Sequence, residues 1–281
     1  MSCALKSLAP GRSAGRPPSC LVIGASGFLG SALCAEAAAR GYDLTPVTRA
    51  TYPSSVGAAP DILFFAAGNS KRYLDDRDPV LAFDLTVAAI RRAIADFRPR
   101  RFVLLSSGAV YPCESDPAHN AESAPIHPAA HPTRYGFHKR LAELLVLRDA
   151  PSPLVLRLGG FVGPGLVKNA VRDILTGGPL FIHPSSALQF MHTRDFARAA
   201  FALAEMPSPP PVLNLSALGT VPVSQIAAWA GYPIPSEAAS RPLVRAELNL
   251  SRASSLIPLP ATEPTVRDSV ADVQSGKVAL P

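Results

Sequence analysis

Leu21-Val-Ile-Gly24-Ala-Ser-Gly27-Phe-Leu-Gly30 is the stretch on which the fold turns. A short aliphatic run, the mark of a buried strand, leads straight into a loop with glycines at 24, 27 and 30. The alanine-rich stretch Ser31 to Arg40 then reads as a helix. Strand, glycine turn and helix in that order make a cradle for a dinucleotide pyrophosphate. Gly24 allows the tight turn off the strand. Gly27 lets the backbone approach the phosphates, and Gly30 lets the helix pack close to the sheet. The helix N-terminus offers free N–H groups and a partial positive charge to the anion. An ordinary strand–turn–helix connection fits the same ten residues, so the rest of the chain must decide.

Working outward, Asp43 to Arg49 and Asp61 to Ala67 read as the second and third strands, the latter ending at Gly68-Asn69. A helix is expected over Pro79 to Phe97, an apolar strand over Arg101 to Ser106, a helix over Tyr135 to Asp149 and a strand over Pro153 to Leu158. Strands that are apolar throughout and alternate with helices imply a parallel sheet covered on both faces. The fold class is therefore α/β, a Rossmann-type doubly wound parallel sheet with a small C-terminal substrate lobe. From Gly159 onward Gly and Pro punctuate the chain, as at Gly163-Pro164-Gly165 and Gly177-Gly178-Pro179. Thr193 to Met206 reads as a helix, Val212 to Leu215 as a short strand, Ser224 to Ala230 as a helix with Trp229 buried, and Thr265 to Gln274 as the last helix. The nucleotide-binding domain is expected over 19–158 plus about 190–216, and the lobe over about 159–189 and 217–281. Residues 1–18 carry Lys6, Arg12 and Arg16 with several Ser, Gly and Pro. Their composition resembles a transit peptide, but Pro10, Pro17 and Pro18 break any amphipathic helix, which favours a disordered leader.

With 48% hydrophobic and 17% charged residues, the 281-residue chain can bury a substantial core. No apolar run is long enough to span a membrane. Cys3, Cys20, Cys34 and Cys113 lie far apart without metal-ligand spacing, so no metal site is expected, and free thiols suit a reducing, cytoplasmic setting. The net charge is +6, with arginine greatly outnumbering lysine. Its densest cluster, Arg91, Arg92, Arg98, Arg100 and Arg101, falls at a predicted helix end and the next strand start, without interleaved aromatics. That pattern reads as a solvated surface with compensation of the helix dipole, so no nucleic-acid partner is expected.

Two further groups carry chemistry. Ser106-Ser107-Gly108-Ala109-Val110-Tyr111 closes an apolar strand, and active-site residues of parallel sheets gather at the carboxyl ends of strands. A serine there can polarise a substrate carbonyl, or simply close a turn. Tyr135-Gly-Phe-His-Lys139 puts a tyrosine and a lysine one turn apart on one helix face. A nearby ammonium favours a phenolate, and such a tyrosine can exchange a proton with a substrate oxygen. The same spacing also arises by chance.

Glycine loop, strand-end serine and Tyr-x-x-x-Lys, in this order, resemble the extended short-chain dehydrogenase/reductase family, the NAD(P)-dependent epimerase/dehydratase superfamily. The resemblance runs from Cys20 to about Ala230. Leu156-Arg157-Leu158-Gly159-Gly160-Phe161-Val162-Gly163-Pro164-Gly165 and Phe190-Met191-His192-Thr193-Arg194-Asp195-Phe196-Ala197 are similar to two later family segments. The resemblance implies an enzyme transferring hydride at a hydroxyl/ketone carbon, most often of a nucleotide sugar. It implies Tyr135 as general acid/base, Lys139 as its partner and ribose ligand, and Ser107, rather than Ser106, as the hydroxyl that orients the substrate. Ser26, Gly27, Phe28 and Leu29, between Gly24 and Gly30, would wrap the pyrophosphate, and Ala66, Ala67 and Gly68 would line the adenosine and ribose side. A homodimer through the helices around Pro79–Phe97 and Tyr135–Asp149 is implied as well.

Cofactor choice turns on the end of the second strand, where an acid would accept the ribose 2′-OH of NAD. Thr48-Arg49 stands there. Arginine cannot accept a hydrogen bond but suits a 2′-phosphate, so NADP(H) is expected. A stacking role for Arg49 on adenine leaves NAD(H) open. Asp84, Pro112 and Gly160 depart from the family pattern. Gly160 replaces an asparagine that contacts the diphosphate of nucleotide sugars, and Lys168, Asn169 and Arg172 are candidates to replace that contact. Arg241 resembles a C-terminal phosphate-contacting arginine, and Arg241-Pro242 with Leu248-Asn249-Leu250-Ser251 resembles the tail of the dTDP-4-dehydrorhamnose reductase group. Gly108-Ala109, where dehydratases carry an acidic pair, argues against 4,6-dehydration. Two alternatives stay open: a ketoreductase for a non-sugar metabolite, and a non-catalytic NADP-sensing partner protein.

Overall fold

The structure is a computed structural model and describes residues 16–281. Most of the expected leader, with Cys3, Lys6 and Arg12, lies outside the described residues. The strands are β1 (Ser19–Ile23), β2 (Asp43–Val47), β3 (Ile62–Phe65), β4 (Arg101–Leu105), β5 (Leu154–Leu158), β6 (Gly160–Val162), β7 (Ala187–Leu188), β8 (Phe190–His192), β9 (Val212–Leu215), β10 (Val221–Pro222) and β11 (Arg245–Ala246). The helices are α1 (Phe28–Ala39), α2 (Tyr52–Ser55), α3 (Arg72–Arg77), α4 (Pro79–Phe83), α5 (Ala89–Asp96), α6 (Arg134–Asp149), α7 (Ala170–Leu175), α8 (Thr193–Ala204), α9 (Val223–Ala230), α10 (Ser251–Ser254) and α11 (Thr262–Gln274).

Six strands form one parallel sheet in the order β2-β1-β3-β4-β5-β9. Its central strands are buried on both faces, which is why they read as continuous apolar runs. On one face Leu33 and Ala37 of α1 pack with Phe196, Ala200 and Phe201 of α8. On the other, Ile90 and Ala93 of α5 pack with Ala142 and Val146 of α6. The chain leaves β1 toward β2 on one side and returns to β3 on the other. That reversal opens a crevice at the carboxyl ends of β1 and β3. The lobe has a core of its own, with Val162, Leu166, Ile174, Val221, Ile226 and Val266. Around it run the three-stranded sheet β10-β7-β11 and the parallel pair β6–β8.

Several boundaries differ from the sequence reading. The first helix starts at Phe28, three residues early, because Gly27 takes the extended N-cap conformation. The third strand shrinks to Ile62–Phe65. The helix from Pro79 passes through a π-helical turn, Asp84–Ala88, and ends at Asp96. The last helix begins at Thr262 rather than Thr265, since Pro264 falls in its first turn, where no N–H is required. Trp229 is half-buried at the margin of the lobe core rather than enclosed, as befits so large a ring. The lobe strands of two or three residues are too short to show a period in sequence. Among the described residues no helix is long and apolar enough to cross a membrane.

Candidate active site

The crevice at β1 and β3 is built by glycines. Gly24 has φ +87°, and a Cβ on it would lie 2.8 Å from the Ala67 nitrogen and 2.9 Å from the Ala66 carbonyl carbon. Only glycine lets these two loops touch. A Cβ on Gly30 would strike the Gly24 carbonyl, lying 2.8 Å from its carbon. Gly30 therefore packs the helix against the glycine loop itself, not against the sheet as the sequence suggested. Ser26 and Gly27 are exposed, Phe28 and Leu29 half-buried. The first turn of α1 has neither a side-chain cap nor an acidic residue. Its N–H groups suit an anion, so the cradle fits a dinucleotide pyrophosphate. A Cβ on Gly165 would lie 3.8 Å from the Phe28 ring, which brings the Gly163-Pro164-Gly165 loop over the same cradle. Across the crevice Ala66 and Ala67 are half-buried and Gly68 exposed. Arg49, just past β2, is exposed, with no side-chain partner among the described residues.

Beside the cradle, α6 begins at a cap in which Thr133 Oγ1 accepts from the Gly136 N–H at 3.1 Å. Tyr135 and Lys139 lie one turn apart, each 9% exposed, with Lys139 Nζ 5.7 Å from the tyrosine ring centroid. Gly136 sets how close this helix comes to the end of β4. A Cβ there would overlap the His131 ring and the Ala109 carbonyl oxygen. His131 Nε2 in turn donates to the Val110 carbonyl at 3.1 Å. The start of α6 thus sits directly on the Gly108–Val110 turn that follows Ser107.

The two serines have separate fates. Ser106 is buried and its hydroxyl donates to Glu143 at 2.6 Å. Ser107 is half-buried, and among the described residues its Oγ accepts only from the Ala109 N–H, at 3.2 Å. Two buried polar networks hold this frame. In the first, Arg157 meets Glu143 through Nε at 3.0 Å and Nη2 at 2.8 Å, and donates to the Tyr111 hydroxyl at 2.8 Å. Tyr111 donates on to Asn214 at 2.8 Å. Burial alone would lower the Arg157 pKa, but Glu143 and then Tyr111 hold it above the ordinary arginine value. In the second, His138 Nδ1 donates to Asp75 at 2.7 Å, and Asp75 accepts from Asn69 Nδ2 at 2.6 Å. This pair ties the middle of Tyr-x-x-x-Lys to the loop after β3.

The lobe residues divide. Lys168 donates to the carbonyl and hydroxyl oxygens of Ser70, the latter at 3.3 Å. Asn169 caps α7 and donates to the Phe161 carbonyl at 2.8 Å, so both ends of its amide serve the lobe itself. Arg172 reaches the Pro281 carbonyl at 3.0 Å. Arg241 is exposed at the end of the Ser236–Ser240 turn. At Gly160 a Cβ would lie 2.7 Å from the Gln189 carbonyl oxygen and 2.8 Å from the Phe190 ring. An asparagine does not fit there.

The sequence reading missed Arg72. Its guanidinium lies 5.7 Å from the Tyr135 ring centroid, held by paired bonds to Glu114 at 3.0 and 2.8 Å. Nothing in a polar Lys-Arg pair after a strand marks it out. Arg157 did carry a signal: a charge inside an otherwise apolar strand requires a buried partner. Glu143, four residues after Lys139 on the same helix face, was that partner.

The fold agrees with comparisons against known proteins. No curated protein matches the chain in sequence. Among solved structures, a UDP-galactose 4-epimerase superposes with a TM-score of 0.72 at 21% identity, covering 93% of this chain and 100% of that one. RMD from Pseudomonas aeruginosa complexed with NADPH superposes with a TM-score of 0.70 at 20% identity, covering 92% and 99%. The dTDP-4-dehydrorhamnose reductase from Bacillus anthracis in complex with NADP gives 0.72 at 16% identity, covering 92% and 100%. At these identities the likeness shows the fold. Family membership rests on the sequence model described as the NAD dependent epimerase/dehydratase family, which matches residues 20–89 and 57–216. With the glycine cradle, the Tyr135–Lys139 helix and most of the chain inside that match, the protein is a member of the NAD-dependent epimerase/dehydratase family of enzymes.

Proposed function

We propose that the protein is an NAD(P)-dependent epimerase or reductase acting at a hydroxyl/ketone carbon of a nucleotide-sugar-like substrate, with Tyr135 as acid/base. The observation that carries this reading is the placement of Tyr135 and Lys139, buried one turn apart, on a helix seated against the turn after Ser107. The nicotinamide cofactor, when bound, accepts or supplies the hydride at its C4. Tyr135 gives or takes the proton at the substrate oxygen, and Ser107, whose hydroxyl is not engaged inside the core, orients that oxygen. The Lys139 ammonium lies beside the ring and has donors left for ribose hydroxyls. Residues 19–158 with about 190–216 serve the cofactor in this reading; about 159–189 and 217–281 serve the substrate.

Solved structures of the same fold include proteins named for nucleotide-sugar chemistry, which supports that substrate class. The crowded Gly160 favours the second reading, a ketoreductase on a non-sugar metabolite, because the usual asparagine contact has no room. The NADP-sensing reading has no support from an enzyme family. Arg49, free beside the cradle, favours NADP(H) over NAD(H). A homodimer belongs to the proposal too: Val80, Leu81 and Phe83 on α4 and Leu144 on α6 are exposed apolar side chains. Light scattering of the 29.5 kDa chain tests it. A cytoplasmic setting fits the free thiols, of which Cys20 is pushed up to about 12 by burial and then by Cys34.

Tyr135→Phe is the central test. NADPH affinity is expected to hold while turnover on a panel of sugar and non-sugar ketones falls by about 10²–10⁴-fold, the usual weight of a general acid/base. Full turnover in that variant would remove Tyr135 from the mechanism.

A further inference from the structure

The loop after β3 and the loop after β6 meet at Ser70, two residues before Arg72. Lys168, from the second loop, crosses to Ser70 on the first. Lys71 and Arg72 follow Ser70 directly in the chain. Arg72 and Lys139 each lie 5.7 Å from the Tyr135 ring centroid, so two cations lie against this ring. Glu114 fixes the Arg72 guanidinium by two parallel bonds from Nη1 and Nη2, which leaves its Nε–H and remaining N–H groups for another acceptor. Lys168 has no carboxylate partner among the described residues; its acceptors are the two Ser70 oxygens. Crowding by protein atoms, and then the like charges of Lys71, Arg72 and Lys139, hold its ammonium below the ordinary lysine range. Lys71, Arg72, Lys139 and Lys168 are thus near enough to repel one another, and Glu114 is paired to Arg72. An anion between the two loops removes that repulsion.

We propose that Arg72 and Lys168 form an oxyanion site beside Tyr135, and that the substrate carries a carboxylate or phosphate close to its reacting carbon. The inference rests on the reading of Tyr135 as the reacting group and narrows the substrate class within it. Lys139 is left to the cofactor, Arg72 supplies the N–H donors that Glu114 leaves open, and Lys168 supplies a point charge on a flexible stem. Two sources share this chemistry: an acidic group on the sugar or ketone itself, and the diphosphate of a nucleotide. Nearness to the tyrosine, where bonds change, favours the first.

Calorimetric titrations of the full chain, with and without NADP+, test the site with UDP-glucuronic acid, UDP-glucose, UDP and malonate as probes. Arg72→Met and Lys168→Met are compared with the native chain, and NADP+ affinity is measured in each. UDP-glucuronic acid is expected to bind at least about 10-fold more tightly than UDP-glucose, with the difference abolished in both variants and NADP+ affinity unchanged. Equal binding of UDP and both sugars, weakened about 10-fold in the variants, assigns the site to the diphosphate. Malonate binding that is lost in the variants, with no nucleotide probe bound, keeps the oxyanion site and removes the nucleotide-sugar reading. If every anionic probe binds the variants as it binds the native chain, or none binds the native chain, the oxyanion site is wrong. Tyr135→Phe turnover, measured separately, then shows whether the hydride-transfer reading survives without it.

Discussion

The Ser106 hydroxyl and the Glu143 carboxylate meet at 2.6 Å inside the protein. This contact joins the residue before Ser107 to the helix that carries Tyr135 and Lys139, one turn beyond the lysine. Glu143 also accepts from Arg140 at 2.9 Å and from Nε and Nη2 of Arg157. The ends of β4 and β5 and the middle of α6 thus share one wholly buried carboxylate. A satisfied buried ion pair fixes a geometry more than it adds stability, and a half-satisfied one is costly.

Glu143→Gln leaves the Arg157 guanidinium, 2% exposed, without its counter-charge. The expected loss is about 3–5 kcal/mol, read as a lower urea midpoint. Glu143→Leu combined with Arg157→Met is expected to regain part of it, because the Arg157 charge leaves with its partner while Arg140 and the Ser106 hydroxyl still lose their acceptor. A double variant no more stable than Glu143→Gln contradicts this account.

Gly136→Ala probes the contact between α6 and the turn after Ser107. Its methyl overlaps the His131 ring and the Ala109 carbonyl oxygen. Stability is expected to fall by about 1–3 kcal/mol, the usual cost of overpacking. Turnover is expected to fall further than NADPH affinity, because the helix shifts relative to Ser107 while the glycine cradle stays. Adding His131→Ala relieves the ring but not the carbonyl, so rescue is partial. An unchanged kcat with weakened NADPH binding would reverse the assignment.

Arg49→Glu reverses the charge at the end of β2. NADPH is expected to bind at least about 10-fold more weakly and NADH no more weakly than before, since a carboxylate repels the 2′-phosphate but accepts from a 2′-hydroxyl. Equal Kd values of the native chain for the two cofactors would instead show that Arg49 does not read the 2′ position.

His192 predicts a pH dependence. Its Nδ1 accepts from the Arg194 N–H at 3.0 Å and caps α8, a role that needs the unprotonated ring. Burial, then Arg194, hold its pKa below the ordinary 6.5 against the pull of Asp195 and Asp272. Between the folded value and 6.5 the unfolded chain therefore binds more protons than the folded one. Stability is full above about 6.5 and is lost as the pH falls through the folded value. The urea midpoint should decline on acidification in that window. His192→Asn, which can cap without titrating, should flatten the decline; identical slopes for the two proteins would place the effect elsewhere.

The parallel sheet, its helices and the glycine cradle were legible in the chain because each rests on short-range rules. Apolar runs mark strands buried on both faces, glycines mark turns no other residue can make, and the i, i+4 spacing of Tyr135 and Lys139 is local helix geometry. The helix starts erred by a few residues where Gly27 and Pro264 sit, since both residues read as breaks and serve as entries. The short strands of the lobe left no period to read.

Sequence by itself determined the residue types of the site and their order: glycine loop, Ser107, Tyr135, Lys139. Tertiary structure alone decided which neighbours act on them. That Ser106 turns inward to Glu143, that Gly160 has no room for a side chain, that Arg72 reaches the Tyr135 ring and that Lys168 crosses to Ser70 beside it are outcomes of long-range packing. Local propensities act over a turn or a strand, whereas charges and contacts between distant loops exist only once the sheet has brought those loops to one edge.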